Sequence, residues 1–361
     1  MGILNLFAKL ALSLQSDPSL SNAPALEQLV AGQAPFAYIG NRASLRESVL
    51  SDAVALQARI LKLSPAEILR ASAQRPELAN YIENVRARLS QNSIVSDWLG
   101  REWEKDSGVF PDFLLALDSK PTFGNGALLE LKDSKGAAIS SFNSTIPTRY
   151  KSLEDTRRIA GSRLVSHAAE LFDFALSAEP DYLSRLRTCF YLIRTFSRSR
   201  TKVRISLVEG SFFETLPKDK LMELVWGQIL DAGGLTGAVR DQVIELLAQL
   251  EQREIAQSRD IDGASIRLRF RMMAEAHKDG NVNRYPEIQP CSVNLVVKME
   301  QRMLEELVGL FAVDGMHAKL GEDAKNIQVH VQDKEIQFHI STILHKRNGE
   351  HLVLSLGFDR R

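Results

Sequence analysis

The chain has 361 residues, 44% of them hydrophobic and 25% charged, and its 45 basic and 45 acidic side chains give a formal net charge of zero. This is the composition of a globular protein with a sizeable core, and it excludes a globally cationic surface, so any contact with a polyanion must come from a local patch. Cys189 and Cys291, both in apolar strand-like runs, read as buried free thiols in a reducing compartment, which points to the cytoplasm.

Residues 1–95 read as helices with short breaks. The apolar opening M-G-I-L-N-L-F-A-K-L-A-L-S-L-Q lacks a basic leader and a cleavage site and is too short to span a bilayer, so it predicts an amphipathic helix. Ser64-Pro65-Ala66-Glu67 is a helix start with proline at the first position, and Pro76 begins another. A further helix over about Ser93 to Glu104 leads into the stretch with the densest chemical signal.

That stretch runs from Val109 to Lys132. Pro111-Asp112 heads one apolar run and Glu130-Leu131-Lys132 ends a second, with Pro121 and Asn125-Gly126 between them as turn formers. The pattern predicts two antiparallel strands joined by a loop. Alternation puts Glu130 and Lys132 on one face and Leu129 and Leu131 on the other, toward the core. In suitable register Asp112 arrives beside Glu130. Two carboxylates and an ammonium crowded against a core stabilise folding poorly unless something binds them. A hard divalent cation such as Mg²⁺, which prefers oxygen ligands, compensates the charge. The same residues also suit an ordinary hairpin with Glu and Lys on its wet face.

Pro-Asp followed by Glu-x-Lys on such a hairpin resembles the signature of the PD-(D/E)XK nucleases, and its placement is similar to that in type II restriction endonucleases. The resemblance rests on about two dozen residues. It implies Asp112 and Glu130 as metal ligands, the Leu131 carbonyl completing the metal site, Lys132 positioning or activating the attacking water, and Mg²⁺ as cofactor. In such folds the preceding helix sometimes adds an acidic ligand, for which Glu102 and Glu104 are the candidates; the plain alternative is a pair of solvated helix carboxylates.

Beyond Lys132 the chain is dense in small hydroxyl and amide side chains. Asn143, Ser144 and Thr145, with Lys135 and Arg149 at the margins, suit phosphate oxygens and base edges. A polar loop leading to a helix cap is the alternative, and Ser152-x-x-Asp155 fits a capping box. Residues 153–178 carry a helical period with Ala160, Leu164, Ala168, Leu171 and Ala175 on one face. Strand-like runs at Thr188–Phe196 and Val203–Val208 flank a turn where Arg194, Arg198, Arg200, Lys202 and Arg204 cluster, suited to gripping phosphates or to a solvated turn. Two helices are predicted between Pro217 and Ile255, split at Ala232-Gly233-Gly234. Arg267, Arg269 and Arg271 then alternate with Ile266, Leu268 and Phe270, an arginine row for phosphate tracking or guanine readout, or a charge-blunted edge strand. Further strands are predicted at Ser292–Lys298, Ile327–Val331, Ile336–Ile343 and Leu352–Phe358, with a helix near Glu300–Phe311. His330 and His339 fall in adjacent runs where they could face each other; without Cys or carboxylate at ligand spacing, no zinc site is expected.

The whole reads as an α+β protein: a helical N-terminal region over 1–95, a restriction-endonuclease-like mixed β-sheet core flanked by helices over 96–260, and a strand-rich region over 261–361 for DNA recognition or dimerisation. The expected function is that of a Mg²⁺-dependent type II restriction endonuclease cleaving double-stranded DNA at a specific sequence. One site per chain acting on a symmetric duplex implies a homodimer. The resemblance further implies a cognate DNA methyltransferase as a functional, not physical, partner. The alternatives are a nuclease of the same fold serving recombination, repair or phage defence without fixed sequence specificity, and a catalytically inert DNA-binding protein. No membrane association is expected.

Overall fold

The computed structural model describes residues 2–23, 26–30, 36–38, 110–115, 117, 123–139, 141–143, 146–160, 176, 179–214, 218–248, 273–300 and 303–358. In chain order the elements are α1 (Ile3–Ser16), β1 (Phe36–Tyr38), β2 (Phe113–Leu115), β3 (Leu128–Lys135), β4 (Phe142–Asn143), β5 (Tyr150–Lys151) and α2 (Leu153–Ala160). There follow β6 (Arg187–Phe196), β7 (Val203–Glu209), α3 (Lys218–Ala232), α4 (Gly237–Ala248), β8 (Met273–Ala274) and β9 (Ser292–Val297). The chain ends with α5 (Leu304–Val313), β10 (His317–Leu320), β11 (Asn326–Val331), β12 (Lys334–His345) and β13 (Gly349–Gly357).

An 11-stranded mixed sheet runs in the order β1-β2-β3-β6-β7-β9-β13-β12-β11-β10, with β5 attached to β6. β4 and β8 form a separate antiparallel pair. Within the large sheet β3/β6 and β7/β9 are parallel and every other pair is antiparallel. A parallel pair needs a crossover. α2 lies in the connection from β3 to β6, and α3 and α4 lie in that from β7 to β9. Strands from all three expected regions, 1–95, 96–260 and 261–361, enter this one sheet.

The central strands are buried on both faces, as near-continuous apolar runs require. β9, Ser-Val-Asn-Leu-Val-Val, is buried at every position. Side chains therefore feed two cores on opposite faces of the sheet. Leu129, Phe190, Leu192, Leu207, Leu295 and Leu354 enter the first; Leu128, Tyr191, Val208, Val296 and Val353 enter the second. Toward the β10 edge the strands alternate instead. In β12 Ile336, Phe338 and Ile340 are buried while Glu335, Gln337 and His339 are exposed.

α1 corrects its expectation. It is buried on nearly every side, with Ile3, Leu4, Leu6, Phe7, Leu10 and Leu14 all in the first core. It packs on β9, β11, β12 and α5, and the Phe7 ring meets Phe338 at 4.9 Å. Each such side chain contributes about 1.5–3 kcal/mol by leaving water. Gly2 donates its N–H to Asp314 Oδ1 at 2.9 Å, and a Cβ there would lie 2.7 Å from that carboxylate, so only glycine admits the contact. The region read as helices with short breaks also contributes a strand, β1, which pairs with β2; residues 39–109 lie outside the described residues.

Several further expectations meet the structure. The Ser152/Asp155 capping box is present, with Ser152 N–H donating to Asp155 Oδ2 at 2.8 Å and Asp155 N–H to Ser152 Oγ at 2.9 Å. His330 and His339 do not face each other, because register sets His330 between His317 and Glu335, and His339 opposite Asn326 and Ser355. Cys189 is buried in β6, but Cys291 precedes β9 with φ 57° and is only half-buried. In the basic turn Arg194 is 1% exposed: Nε and Nη2 grip Asp133 at 3.0 and 2.5 Å, and Nη1 donates to the Ala23 carbonyl at 2.6 Å. Arg200 stacks on Phe196, and Arg204 donates to the Ile288 carbonyl, so these cations serve the fold. Among the described residues no helix is long and apolar enough to cross a membrane.

Arg194 ties the N-terminal segment to β3, and Asp133 is its counter-charge. Asp133→Ala should lower the unfolding free energy by on the order of 2 kcal/mol, read from a chemical denaturation midpoint; an unchanged midpoint would remove the latch from the account.

Candidate active site

The loop between β2 and β3 turns through Gly124 and Gly126, at φ 67° and 63°. A Cβ on Gly126 would meet Leu117 at 2.7 Å and Arg187 at 2.9 Å, so the Asn-Gly turn is fixed by close approach as well as by conformation. The strands it joins are antiparallel, with Phe113 opposite Leu129 and Leu114 opposite Leu128. Continuing that register by one step sets Asp112 opposite Glu130. Asp112 Oδ2 accepts the Leu131 N–H at 2.8 Å, where a ladder partner would otherwise bond. In a strand the N–H and C=O of one residue share an edge, so the Leu131 carbonyl is directed to the β2 side as well.

Lys132 Nζ donates to Glu130 Oε1 at 2.9 Å, and the two side chains are 8% and 12% exposed. The faces divide as the alternation predicts: Leu129 lies in the first core, Leu131 packs against it, and Leu128, Glu130 and Lys132 share the opposite face. That face is not a wet hairpin surface. The Lys132 ammonium sits 5.4 Å from the centroid of the Phe142 ring. Phe142 stands edge-on to Tyr191 at 5.2 Å, and Phe213 meets Tyr191 at 5.3 Å. The three sequence-predicted groups Asp112, Glu130 and Lys132 are therefore brought together, inside an aromatic enclosure that the motif did not announce. Signals for the enclosure existed only as apolar strand residues; the parallel β3/β6 register, which sets Tyr191 beside Glu130, is what places them.

Burial first, and then the Asp112 charge, push the Glu130 carboxyl up to about 8, against the opposing pull of Lys132. Glu130 Oε2 is buried without a hydrogen-bond partner among the described residues. A crowded carboxylate pair with one orphaned oxygen is a donor set that fits a hard cation of low coordination demand on the protein, such as Mg²⁺. Among the described residues no group of three or more His, Cys, Asp and Glu side chains converges on a point that could hold a metal, so the acidic part of the site is this pair.

The expected nucleic-acid contacts fare unevenly. Lys135 is exposed at the end of β3, and Asn143 lies in β4 opposite Met273. Arg149 is 37% exposed and is also tied to the fold: Nε donates to Glu209 Oε1 at 2.7 Å, and its backbone N–H donates to Glu214 Oε2 at 2.8 Å. Glu209 is 1% exposed and needs that cation, which explains the pairing. Ser144, Thr145, Arg267, Arg269 and Arg271, with Glu102 and Glu104, lie outside the described residues. Comparison with family models, curated proteins and solved structures finds no match.

In the metal-free fold Glu130 holds its proton up to about 8, whereas an ordinary glutamate releases it near 4.5. Its contribution to stability is therefore full below the lower value and is lost as pH rises toward the upper one. The thermal midpoint of Glu130→Gln should gain on that of the native protein between pH of about 5 and about 8 in chelated buffer. A gap of constant size across that window would refute the assignment.

Proposed function

We propose that the chain is a Mg²⁺-dependent nuclease of the PD-(D/E)XK type, acting on double-stranded DNA, and within that type a sequence-specific type II restriction endonuclease. The observation that carries the reading is the meeting of Asp112 with Glu130-Leu131-Lys132 across one antiparallel pair, with a carboxylate oxygen left unpartnered among the described residues. The sheet supports it too, since β1, β2 and β3 form an antiparallel meander and β6 returns parallel to β3.

Asp112, Glu130 and the Leu131 carbonyl would hold Mg²⁺, which when bound supplies charge neutralisation at the scissile phosphate. The residues of the chain do the rest. Lys132, kept beside Glu130 by its ion pair, is placed to orient a water for in-line attack. The water gives up a proton as its oxygen bonds to phosphorus, the bond from phosphorus to the leaving sugar oxygen breaks, and that oxygen takes up a proton in turn. Asp112 holds the Leu131 amide and so fixes the edge on which the carboxylates stand. A symmetric DNA site cut on both strands calls for a homodimer, and the cell that carries such an enzyme needs a methyltransferase to protect its own sites.

One observation favours a second reading. The Glu130–Lys132 pair is nearly closed to solvent, as a purely structural ion pair would be, and an inert DNA-binding protein is the corresponding function. Incubation of the purified protein with plasmid and Mg²⁺ separates the two. The native protein should cut, and discrete bands would mark sequence specificity where a smear would mark its absence. Asp112→Ala should lower the rate by about a hundredfold or more, and EDTA should abolish it. DNA retention without cleavage at any Mg²⁺ or Mn²⁺ concentration would replace the enzyme with the inert protein.

A further inference from the structure

Glu130 Oε1 is occupied by Lys132, and Oε2 has no hydrogen-bond partner among the described residues. On the adjoining strand the Tyr191 hydroxyl is buried and equally without one. The parallel register sets Glu130 directly beside Tyr191, so the two side chains leave one face of the sheet from backbones about 4.8 Å apart. Both atoms lack a partner among the described residues, and the phenol has a proton to give. Tyr191 is 0% exposed, and its ring is held by Phe142, Phe213 and Phe110 at centroid distances of 5.2, 5.3 and 6.4 Å. It cannot swing away to find another partner. Burial, then Cys189 and Glu130, hold the phenol well above its ordinary range, so it remains a donor at any working pH. The other ionisable groups around the pair are Asp112 and Lys132 beside Glu130, and Glu214 beside Tyr191. The neighbouring Thr148 backbone lies near enough to the phenol to oppose that rise.

A buried polar atom left unmet is costly, and a water with two or more polar partners is the usual remedy. We propose that Tyr191 is a positioning residue: its phenol donates to a buried water, and that water is hydrogen-bonded in turn to Glu130 Oε2. The water stands on the β6 side of the carboxylate while Lys132 holds the other oxygen, so Glu130 is fixed from both sides. Its catalytic consequence rests on the nuclease reading, in which Glu130 must keep one orientation and an ordered water must wait beside Lys132.

Two measurements test this independently. A high-resolution crystal structure of the metal-free native protein should show a water within hydrogen-bonding distance of both Glu130 Oε2 and Tyr191 Oη. A phenol bonded directly to Glu130 or to the Thr148 backbone, with no water between, would overturn the placement whatever the protein does to DNA. Tyr191→Phe keeps the ring and its packing and removes only the hydroxyl. It should lower kcat for Mg²⁺-dependent plasmid cleavage by about tenfold to a hundredfold, with KM and the thermal midpoint unchanged. A variant that cuts within about twofold of the native rate would overturn the positioning role even if the water is seen. If the water is seen and the native protein does not cut, the nuclease reading falls and the placement of the water stands.

Discussion

Holding the Glu130 carboxylate out of water beside a second carboxylate is the constraint on which the rest of this site depends. Burial and the Asp112 charge both act against ionisation there, and the Lys132 ammonium offsets only part of it. A site of this kind is poised rather than relaxed: a proton completes it, and on the proposed reading a bound cation would displace that proton. The surrounding rings keep it so, because Phe142, Tyr191 and Phe213 deny the carboxylate the solvent that would otherwise return its ordinary acidity.

The position of β3 makes this possible. It is paired on both edges, to β2 and to β6, and it feeds two separate cores through alternate side chains. Leu129 and Leu131 anchor it from one face, so Glu130 and Lys132 have no freedom to turn away on the other. At its far end Asp133 engages the buried Arg194, which also reaches the carbonyl of Ala23. The strand carrying the charged groups is thus clamped at a point where slippage by one residue would exchange the leucine face for the charged one.

Much of this was legible in the residues themselves. The Asn-Gly turn, the two apolar runs and their alternation were enough to bring Asp112 opposite Glu130, and Ser152 and Asp155 announced their own cap. β6, β7, β9 and the β11–β13 strands followed from apolar runs bounded by turn residues. Less legible were features set by distant pairing. Nothing local in Ile3–Ser16 distinguishes a helix with one buried face from one enclosed on every side, since its polar residues are few in either case. The partner strands of His330 and the pairing of Arg149 and Arg194 depend on register and on carboxylates far away in the chain. The aromatic surroundings of Lys132 depend on a parallel pairing that no short window encodes.

The placement of α1 has a consequence for how the protein is made. Its first turn is capped by a carboxylate 312 positions further on, and the strands it covers belong to the last part of the chain. At ordinary translation speeds, that helix leaves the ribosome roughly 15–60 s before its docking surface exists. Throughout that interval a strongly apolar peptide lacks β9, β11, β12 and α5 to bury against, which makes it a natural client for a holding chaperone.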